Sequence, residues 1–295
     1  MRMIVLGAAA GGGLPQWNCG CQNCQDARAG IIPPMTQSSV AVSVDGDSWV
    51  VLNASPDIRS QAQAIPALHP VALRESPIAA VVLTNGDIDH IAGLLTLREK
   101  TGFDVYATSA GLDILSSNAV FGVLDPSLVT RREITLDRSF VPVPGLSVTP
   151  FAVPGKVALF LEGDQLNLEE VGEQTVGLML ETDTRRVAYI PGCAKVPDWL
   201  ISHVQDVDML LFDGTVWHND DMQRTGTGQK TGARMGHLPL NGSDGSLARW
   251  AGTDMRKMLI HINNTNPILQ PDSPERAHVL AAGWEIAHDG MEITL

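Results

Sequence analysis

Five short runs, Met3–Leu6, Trp49–Leu52, Ala79–Leu83, Met209–Phe212 and Met258–Ile260, contain no polar residue at all. A strand with one wet face alternates apolar and polar side chains, so uninterrupted runs of this length belong to strands covered on both faces. Each is followed within two residues by Gly, Asn, Asp or His. Polar chemistry therefore collects at the strand ends, where sheets flanked by helices place their sites.

Further strand-type runs cover Ser39–Val44, Val105–Ala107, Leu146–Phe151, Thr175–Glu181 and Arg186–Ile190, each bounded by turn residues. Helical segments are expected over Gly93–Lys100, Gly111–Asn118, Trp199–Val204, Gly245–Met255 and Pro274–Ala282, the last opened by Ser273-Pro274-Glu275. Two rounds of strands then helix, one ending near Asp89 and the other near His261, predict a duplicated α/β half. The expected fold class is α/β, with two central mixed sheets flanked by helices.

A length of 295 residues admits one large domain or two ordinary ones, and 44% hydrophobic content supports a sizeable core. The 33 acidic and 20 basic residues leave a net charge of −13, and no block of Lys or Arg could follow a phosphate backbone. Nucleic acid is excluded as an expected partner. Met1–Leu6 reads as a first β-strand rather than a secretory leader, because its apolar run meets glycines within a few residues. No window reaches the roughly 18 to 20 apolar residues of a membrane span, so the chain is expected to be cytoplasmic, with no membrane insertion. Gly7–Gly13 has the composition of a dinucleotide loop, but Leu14-Pro15-Gln16-Trp17-Asn18 continues it as loop and not as helix.

Cys19-Gly20-Cys21-Gln22-Asn23-Cys24 packs three thiols into six residues, too close for a disulfide framework. Three soft thiolates on one loop suit a structural zinc ion that needs a fourth ligand from elsewhere. Cys193, after Pro191-Gly192, reads as a buried small residue rather than a nucleophile.

Beyond Val81–Leu83, a tight loop carries Asp87, Asp89 and His90 and opens a helix at Ile91. Carboxylates beside an imidazole suit a hard or borderline metal such as Fe(II) or Mn(II), although Asp89 could equally be an idle helix cap. His261, at the end of the Met258–Ile260 strand, tips the balance. Together Asp89, His90 and His261 make the two-histidine, one-carboxylate set that leaves positions open on Fe(II). Asp213 and His218 follow the Met209–Phe212 strand and His237 comes soon after. They could be ligands, acid/base groups or residues orienting a ligand, or they could be surface loop. His69, His203, His278 and His288 have no supporting constellation and read as structural or surface residues.

A glycine-rich opening with Cys19-Gly-Cys21-x-x-Cys24 is followed by Val82-Leu83-Thr84-Asn85-Gly86-Asp87-Ile88-Asp89-His90, Tyr189-Ile190-Pro191-Gly192-Cys193, Leu211-Phe212-Asp213-Gly214-Thr215 and His261-Ile262-Asn263-Asn264-Thr265-Asn266-Pro267. Over essentially the whole chain this combination resembles the pyrroloquinoline quinone (PQQ) biosynthesis protein B family, a divergent branch of the metallo-β-lactamase superfamily. It is also similar to phosphodiesterases that bear a Cys-x-Cys-x-x-Cys zinc clip. The resemblance implies one αββα domain over residues 1–295, with a zinc loop at 19–24 and the site at the strand ends where the sheets meet. Set on the superfamily pattern His-x-His-x-Asp-His, the first two histidine positions fall on Asn85 and Asp87, while Asp89 and His90 keep theirs. A later histidine falls near Gly155-Lys156, the bridging aspartate on Gly192, and the last histidine on His261. Asp87 is an extra oxygen ligand in this scheme. The phosphodiesterases take their fourth zinc ligand three residues beyond the last active-site histidine, which is Asn264 here.

Hydrolases of this fold clamp substrate with two metals about 3.5 to 4 Å apart. A chain that lacks the bridging carboxylate and half the imidazoles is expected to hold one metal and to do oxygen chemistry instead. The resemblance implies an iron-dependent hydroxylase acting on the tyrosine ring of the cross-linked Glu-Tyr precursor derived from the peptide PqqA. Asp89, His90 and His261 would hold Fe(II), with Asp87; Asp213, His218 or His237 would move protons; Arg131, Arg132, Lys156 or Arg234 would hold substrate carboxylates. Other PQQ biosynthesis proteins are the expected partners, and a homodimer is admitted but not required. The alternative is a non-catalytic carrier, involved in transport of PQQ or its precursor to the periplasm.

Overall fold

The computed structural model describes residues 1–157 and 170–295. In chain order the strands of the first half are β1 (Arg2–Gly7), β2 (Ser39–Ser43), β3 (Trp49–Leu52), β4 (Ile78–Val82), β5 (Phe103–Ala107) and β6 (Val129–Glu133). The second half adds β7 (Phe140–Val143), β8 (Leu146–Gly155), β9 (Glu170–Glu181), β10 (Arg186–Ile190), β11 (Met209–Asp213) and β12 (Arg256–Ile260). Two short strands close the chain, β13 (Trp284–Ile286) and β14 (Glu292–Thr294).

They form two seven-stranded sheets, in the orders β14-β1-β2-β3-β4-β5-β6 and β7-β8-β9-β10-β11-β12-β13. Each sheet runs through three antiparallel pairings and then three parallel ones. The expected duplicated half is this shared plan. β14 crosses back to the first sheet, so the last residues of the chain stitch the two halves together.

The pleat explains why the strands lack polar residues. In β1, Met3 and Val5 enter the core between the sheets while Ile4 and Leu6 face the outer helices. In β3, Val50 and Leu52 point inward and Trp49 and Val51 outward, all fully buried. Both faces are covered, as uninterrupted apolar runs require.

Helices α1 (Gln22–Arg28), α2 (Ile58–Ala64), α3 (Ile88–Ile91) and α4 (Ser109–Ser117) lie in the first half. Ile58, Ile91, Ile114 and Leu115 on α2, α3 and α4 pack on the outer face of the first sheet. The second half carries α5 (Asp198–Val204), α6 (Asp221–Arg224), α7 (Gly232–Met235), α8 (Ser246–Arg249) and α9 (Pro274–Ala281). Leu200, Leu247 and Val279 from α5, α8 and α9 cover the outer face of the second sheet.

Two expected helices differ in form. The segment Gly93–Lys100 is preceded by a turn of α-helix at α3 and itself winds as a tighter 3₁₀ helix over Ala92–Arg98. Gly93 passes so close to the Ala54-Ser55 backbone that a Cβ would sit 2.2 Å from the Ser55 carbonyl oxygen, and its N–H donates to Ala54. That contact pins the site loop to the end of β3. Gly245–Met255 shortens to α8, because the chain turns at Gly252 (φ 76°) to enter β12.

Candidate active site and thiol cluster

The ends of β4, β11 and β12 converge on a cavity of about 220 Å³ lined by Asp87, Asp89, His90, Lys156, His237 and His261 among others. One ligand atom each from Asp89, His90 and His261 lies within 4.8 Å of the other two. A second trio, Asp213, His237 and His261, meets the same limit.

His90 is held from behind. Its Nδ1 lies 2.7 Å from Asn85 Oδ1, which also accepts the Asp87 backbone N–H at 3.0 Å. An amide oxygen can only accept, so the imidazole proton sits on Nδ1 and the lone pair on Nε2. That Nε2 is buried and has no hydrogen-bond partner, 3.9 Å from Asp89 Oδ2. Burial holds the His90 pKa below its ordinary value, against the opposing pull of the Asp89 charge. A neutral imidazole with an unpartnered, inward lone pair is a metal ligand in waiting. Asn85, at a position where the superfamily pattern has a histidine, thus orients a ligand.

His261 adopts φ 60°, a left-handed backbone that Cβ-bearing residues avoid. The turn is fixed on both sides, since Ile262 exchanges backbone hydrogen bonds with Ala8 and Ala10. Thr215 Oγ1 lies 2.6 Å from Asp213 Oδ1 and 2.9 Å from His261 Nδ1. With its single proton given to the carboxylate, Thr215 accepts from His261 Nδ1, which turns Nε2 toward Asp89 Oδ2 at 3.0 Å. Burial lowers the His261 pKa, but the Asp89 hydrogen bond and the charges of Asp89 and Asp213 outweigh it, and the net shift is upward. Asp89 moves the other way: burial opposes its ionisation, and His90 and His261 overcome that, leaving it well below the usual carboxylate range.

Asp213 is fully buried and accepts from the Cys193 N–H, the Thr215 N–H and His237 Nδ1 at 2.7 Å. His237 stacks on His261 at 5.2 Å between ring centroids, with Nε2 left for the cavity. Gly192 lines the cavity too, and a Cβ there would meet nothing nearer than His237 Cε1 at 3.7 Å. A Cβ at that position would therefore meet no clash.

His218 is a correction. Its backbone N–H, with that of Trp217, is taken by the Asp221 carboxylate at the start of α6, and its Nδ1 lies 3.5 Å from Asn241. That turn carries the ring away from the cavity lining. Arg131 and Arg132 are displaced as well, on β6 against Phe121 and Asp104, and Arg234 on α7 is outside the lining; Lys156 is within it. Asp87 lines the cavity but falls outside the Asp89, His90, His261 trio, with Lys156 Nζ 3.8 Å from its Oδ1. Thr215, Asn85, Ala10 and Gly11 are site residues that motif reading passes over. Their signal is position: each sits one or two residues past an apolar strand or in the glycine loop.

At the thiol cluster, Cys19, Cys21 and Cys24 bring their sulfurs within 4.8 Å of one another where α1 begins. The Asn264 side-chain amide completes the set, its nitrogen 3.2, 3.6 and 3.3 Å from the three sulfurs. An amide offers nitrogen or oxygen by a half-turn, so oxygen reaches the same point. Burial pushes the Cys21 thiol up to about 12. Such a cluster becomes fully ionised only with a cation among the sulfurs, and three sulfurs plus an amide oxygen make a tetrahedral donor set that fits zinc. Asn264 is three residues from His261, so one turn serves both sites.

Asn85→Ala should leave the fold intact and lower active-site metal affinity by roughly 10- to 100-fold, the usual cost of losing a group that orients a ligand. Competition titration against a metal-binding dye would measure it. Unchanged affinity would remove Asn85 from the site.

A model of the beta-lactamase superfamily domain matches residues 48–262. Coenzyme PQQ synthesis protein B of Ruegeria pomeroyi is 56% identical over 295 residues, covering the whole of both chains. The Zn(2+)-bound crystal structure of PqqB from Methylobacterium extorquens superposes with a TM-score of 0.98 at 55% identity, again over the whole of both chains. A diphosphatase of the PhnP family shares the fold, with a TM-score of 0.70 at 21% identity over all of this chain and 97% of that one. The chain belongs to the coenzyme PQQ synthesis protein B family, within the β-lactamase superfamily.

Proposed function

We propose that this protein acts in PQQ synthesis as an Fe(II)-dependent hydroxylase of the tyrosine ring in a peptide-derived Glu-Tyr precursor. The observation that carries it is the convergence of Asp89, His90 and His261 with an unpartnered His90 Nε2, beside a Gly192 that supplies no bridging carboxylate. Two imidazoles and one carboxylate suit one metal with open positions, and a two-metal hydrolase lacks its clamp here. When bound, Fe(II) supplies the redox chemistry that activates O₂. One oxygen atom enters the ring and the other leaves as water, with two electrons and two protons from an external reductant.

The chain's own groups do the rest. Asn85 and Thr215 fix the His90 and His261 rings, and the Asp213–His237 pair presents His237 Nε2 to take the phenol proton and return it. Cys19, Cys21, Cys24 and Asn264 hold a structural zinc in this proposal, in line with the zinc-bound relative from M. extorquens. We place the reaction in the cytoplasm beside the other PQQ synthesis proteins. No helix among the described residues is long and apolar enough to cross a membrane.

The test is anaerobic loading with Fe(II), then addition of O₂, reductant and a Glu-Tyr substrate. Substrate-dependent O₂ uptake with ring-hydroxylated product is expected. Binding without uptake would overturn the hydroxylase and leave the carrier.

A further inference from the structure

We infer that Asn85, besides orienting His90, presents its side-chain N–H groups to the cavity as hydrogen-bond donors for an anionic oxygen of the ligand. For a phenol substrate this makes Asn85 a catalytic residue, which holds the ring oxygen once its proton has gone.

The backbone tells the two ends of the amide apart. One end lies 3.0 Å from the Asp87 N–H, and a backbone N–H can only donate, so that end is Oδ1. The His90 Nδ1 proton goes to the same oxygen at 2.7 Å. Two donors thus fix the amide plane, and Nδ2 occupies the other branch of it. There Nδ2 has no acceptor among the described residues, yet it is not sealed off as the orphaned His90 Nε2 is. An amide donor of this kind needs a partner, and the space it faces must supply one.

Two hollows touch Asn85. The smaller holds about 10 Å³, room for a single water at most, and the other is the cavity of about 220 Å³ that His90, His237 and His261 line. The root of the side chain is fixed as well. Asn85 pairs with Thr175 on β9, and the Val176 N–H donates to the Thr84 carbonyl at 2.9 Å. On the other side Gly86 passes so close to α4 that a Cβ would stand 2.3 Å from Ile114 Cδ1.

A donor aimed before the ligand arrives costs no reorganisation when charge develops. His237 Nε2 takes the phenol proton, and the oxygen left behind accepts from Asn85 Nδ2. That bond is charge-assisted and roughly twice as strong as the one to a neutral oxygen. The amide therefore favours the ionised ring over the phenol, which is the difference that accelerates a step.

The phenol rests on the proposed function, whereas the donor rests on the geometry of the amide, and the test separates them. Protein carrying its zinc is saturated with Mn(II) under argon and titrated with para-nitrophenol, whose ionised form is read by its absorbance. Wild-type protein should bind the ionised form at least about tenfold more tightly than the neutral one. Asn85→Ala, an uncharged change, should lose about tenfold in affinity for the ionised form at full Mn(II) occupancy, with affinity for the neutral form unchanged. Asn85→Asp keeps an acceptor for the Asp87 and His90 donors but replaces Nδ2 with a second acceptor. It should bind Mn(II) more tightly than Asn85→Ala and prefer the neutral phenol, whose O–H it can accept. Wild-type protein that does not bind the probe, or binds both forms equally, overturns the donor. So does Asn85→Ala that keeps the wild-type preference at full Mn(II) occupancy. Preference for the ionised probe without O₂ uptake on a Glu-Tyr substrate in the iron protein sinks the hydroxylase and leaves the donor standing.

Discussion

His90→Ala should abolish active-site metal binding while sparing the fold and the zinc. The side chain contributes one ligand atom from the short helix α3, and Asn85 Oδ1 retains the Asp87 N–H after the ring is gone. Losing an orienting group already costs roughly 10- to 100-fold in affinity, so losing a ligand itself should exceed about 100-fold. Metal analysis after Fe(II) loading would find two metals per chain in the wild type and one in the variant. O₂ uptake should vanish in parallel. A variant that still takes up Fe(II) stoichiometrically would show that Asp89 and His261 bind through other groups, and the three-residue site would fall.

The opposite substitution sharpens the contrast. Gly192 has room for a Cβ, with His237 Cε1 its nearest neighbour at 3.7 Å. The backbone at this position would thus accept a Cβ without a clash. Chemistry rather than packing distinguishes this site from a two-metal one, since Asn85 and Lys156 put an orienting amide and a cation where the superfamily has ligands.

Much of this was legible in the chain because its physics is local. Uninterrupted apolar runs told of strands buried on both faces, and β3 and β10 fall on the expected residues. His261 directly follows such a run and Asp89 and His90 lie on the loop beyond one, while the three cysteines announce themselves by their spacing. What stayed hidden is what depends on distant partners. The short strands β13 and β14 and the polar edge strand β6 carry no periodic signal, and their pairing partners decide them. α1 was concealed by its cysteines, which read as a loop although Cys21 stands at its N-terminus. His218 and His237 are alike in sequence, both on the polar stretch between β11 and β12. Only the Asp221 carboxylate, which takes the Trp217 and His218 N–H groups, and Asp213, which takes His237 Nδ1, turn one ring out and the other in. Lys156 gave no motif because a lysine acquires its meaning from burial.

Zinc removal tests how far the two sites share one support. Cys24 is fully buried, and Asn23 beside it donates to the backbone carbonyls of Asn264 and Asn266 at 2.9 Å each. The thiol loop therefore grips the turn that begins at His261, which is already held in the left-handed region. Cys24→Ser should lose the ion, since a hydroxyl is a far poorer zinc ligand than a thiolate. The core between two seven-stranded sheets does not depend on that ion, so the protein should stay folded. A local loss of about 3 kcal/mol would lower Tm by roughly 6 to 12 °C, at about 2 to 4 °C per kcal/mol for a large domain. Because zinc displaces protons from three thiols, the wild-type zinc affinity should fall steeply as pH drops. Released from its brace, the 261–266 turn should relax and take His261 Nε2 out of line with Asp89, so Fe(II) affinity falls alongside zinc loss. Calorimetry and metal analysis on one preparation read both effects. A zinc-free variant with wild-type Fe(II) affinity would show that Thr215 and the Ala8–Ala10 backbone hold His261 unaided, and the coupling between the sites would be lost.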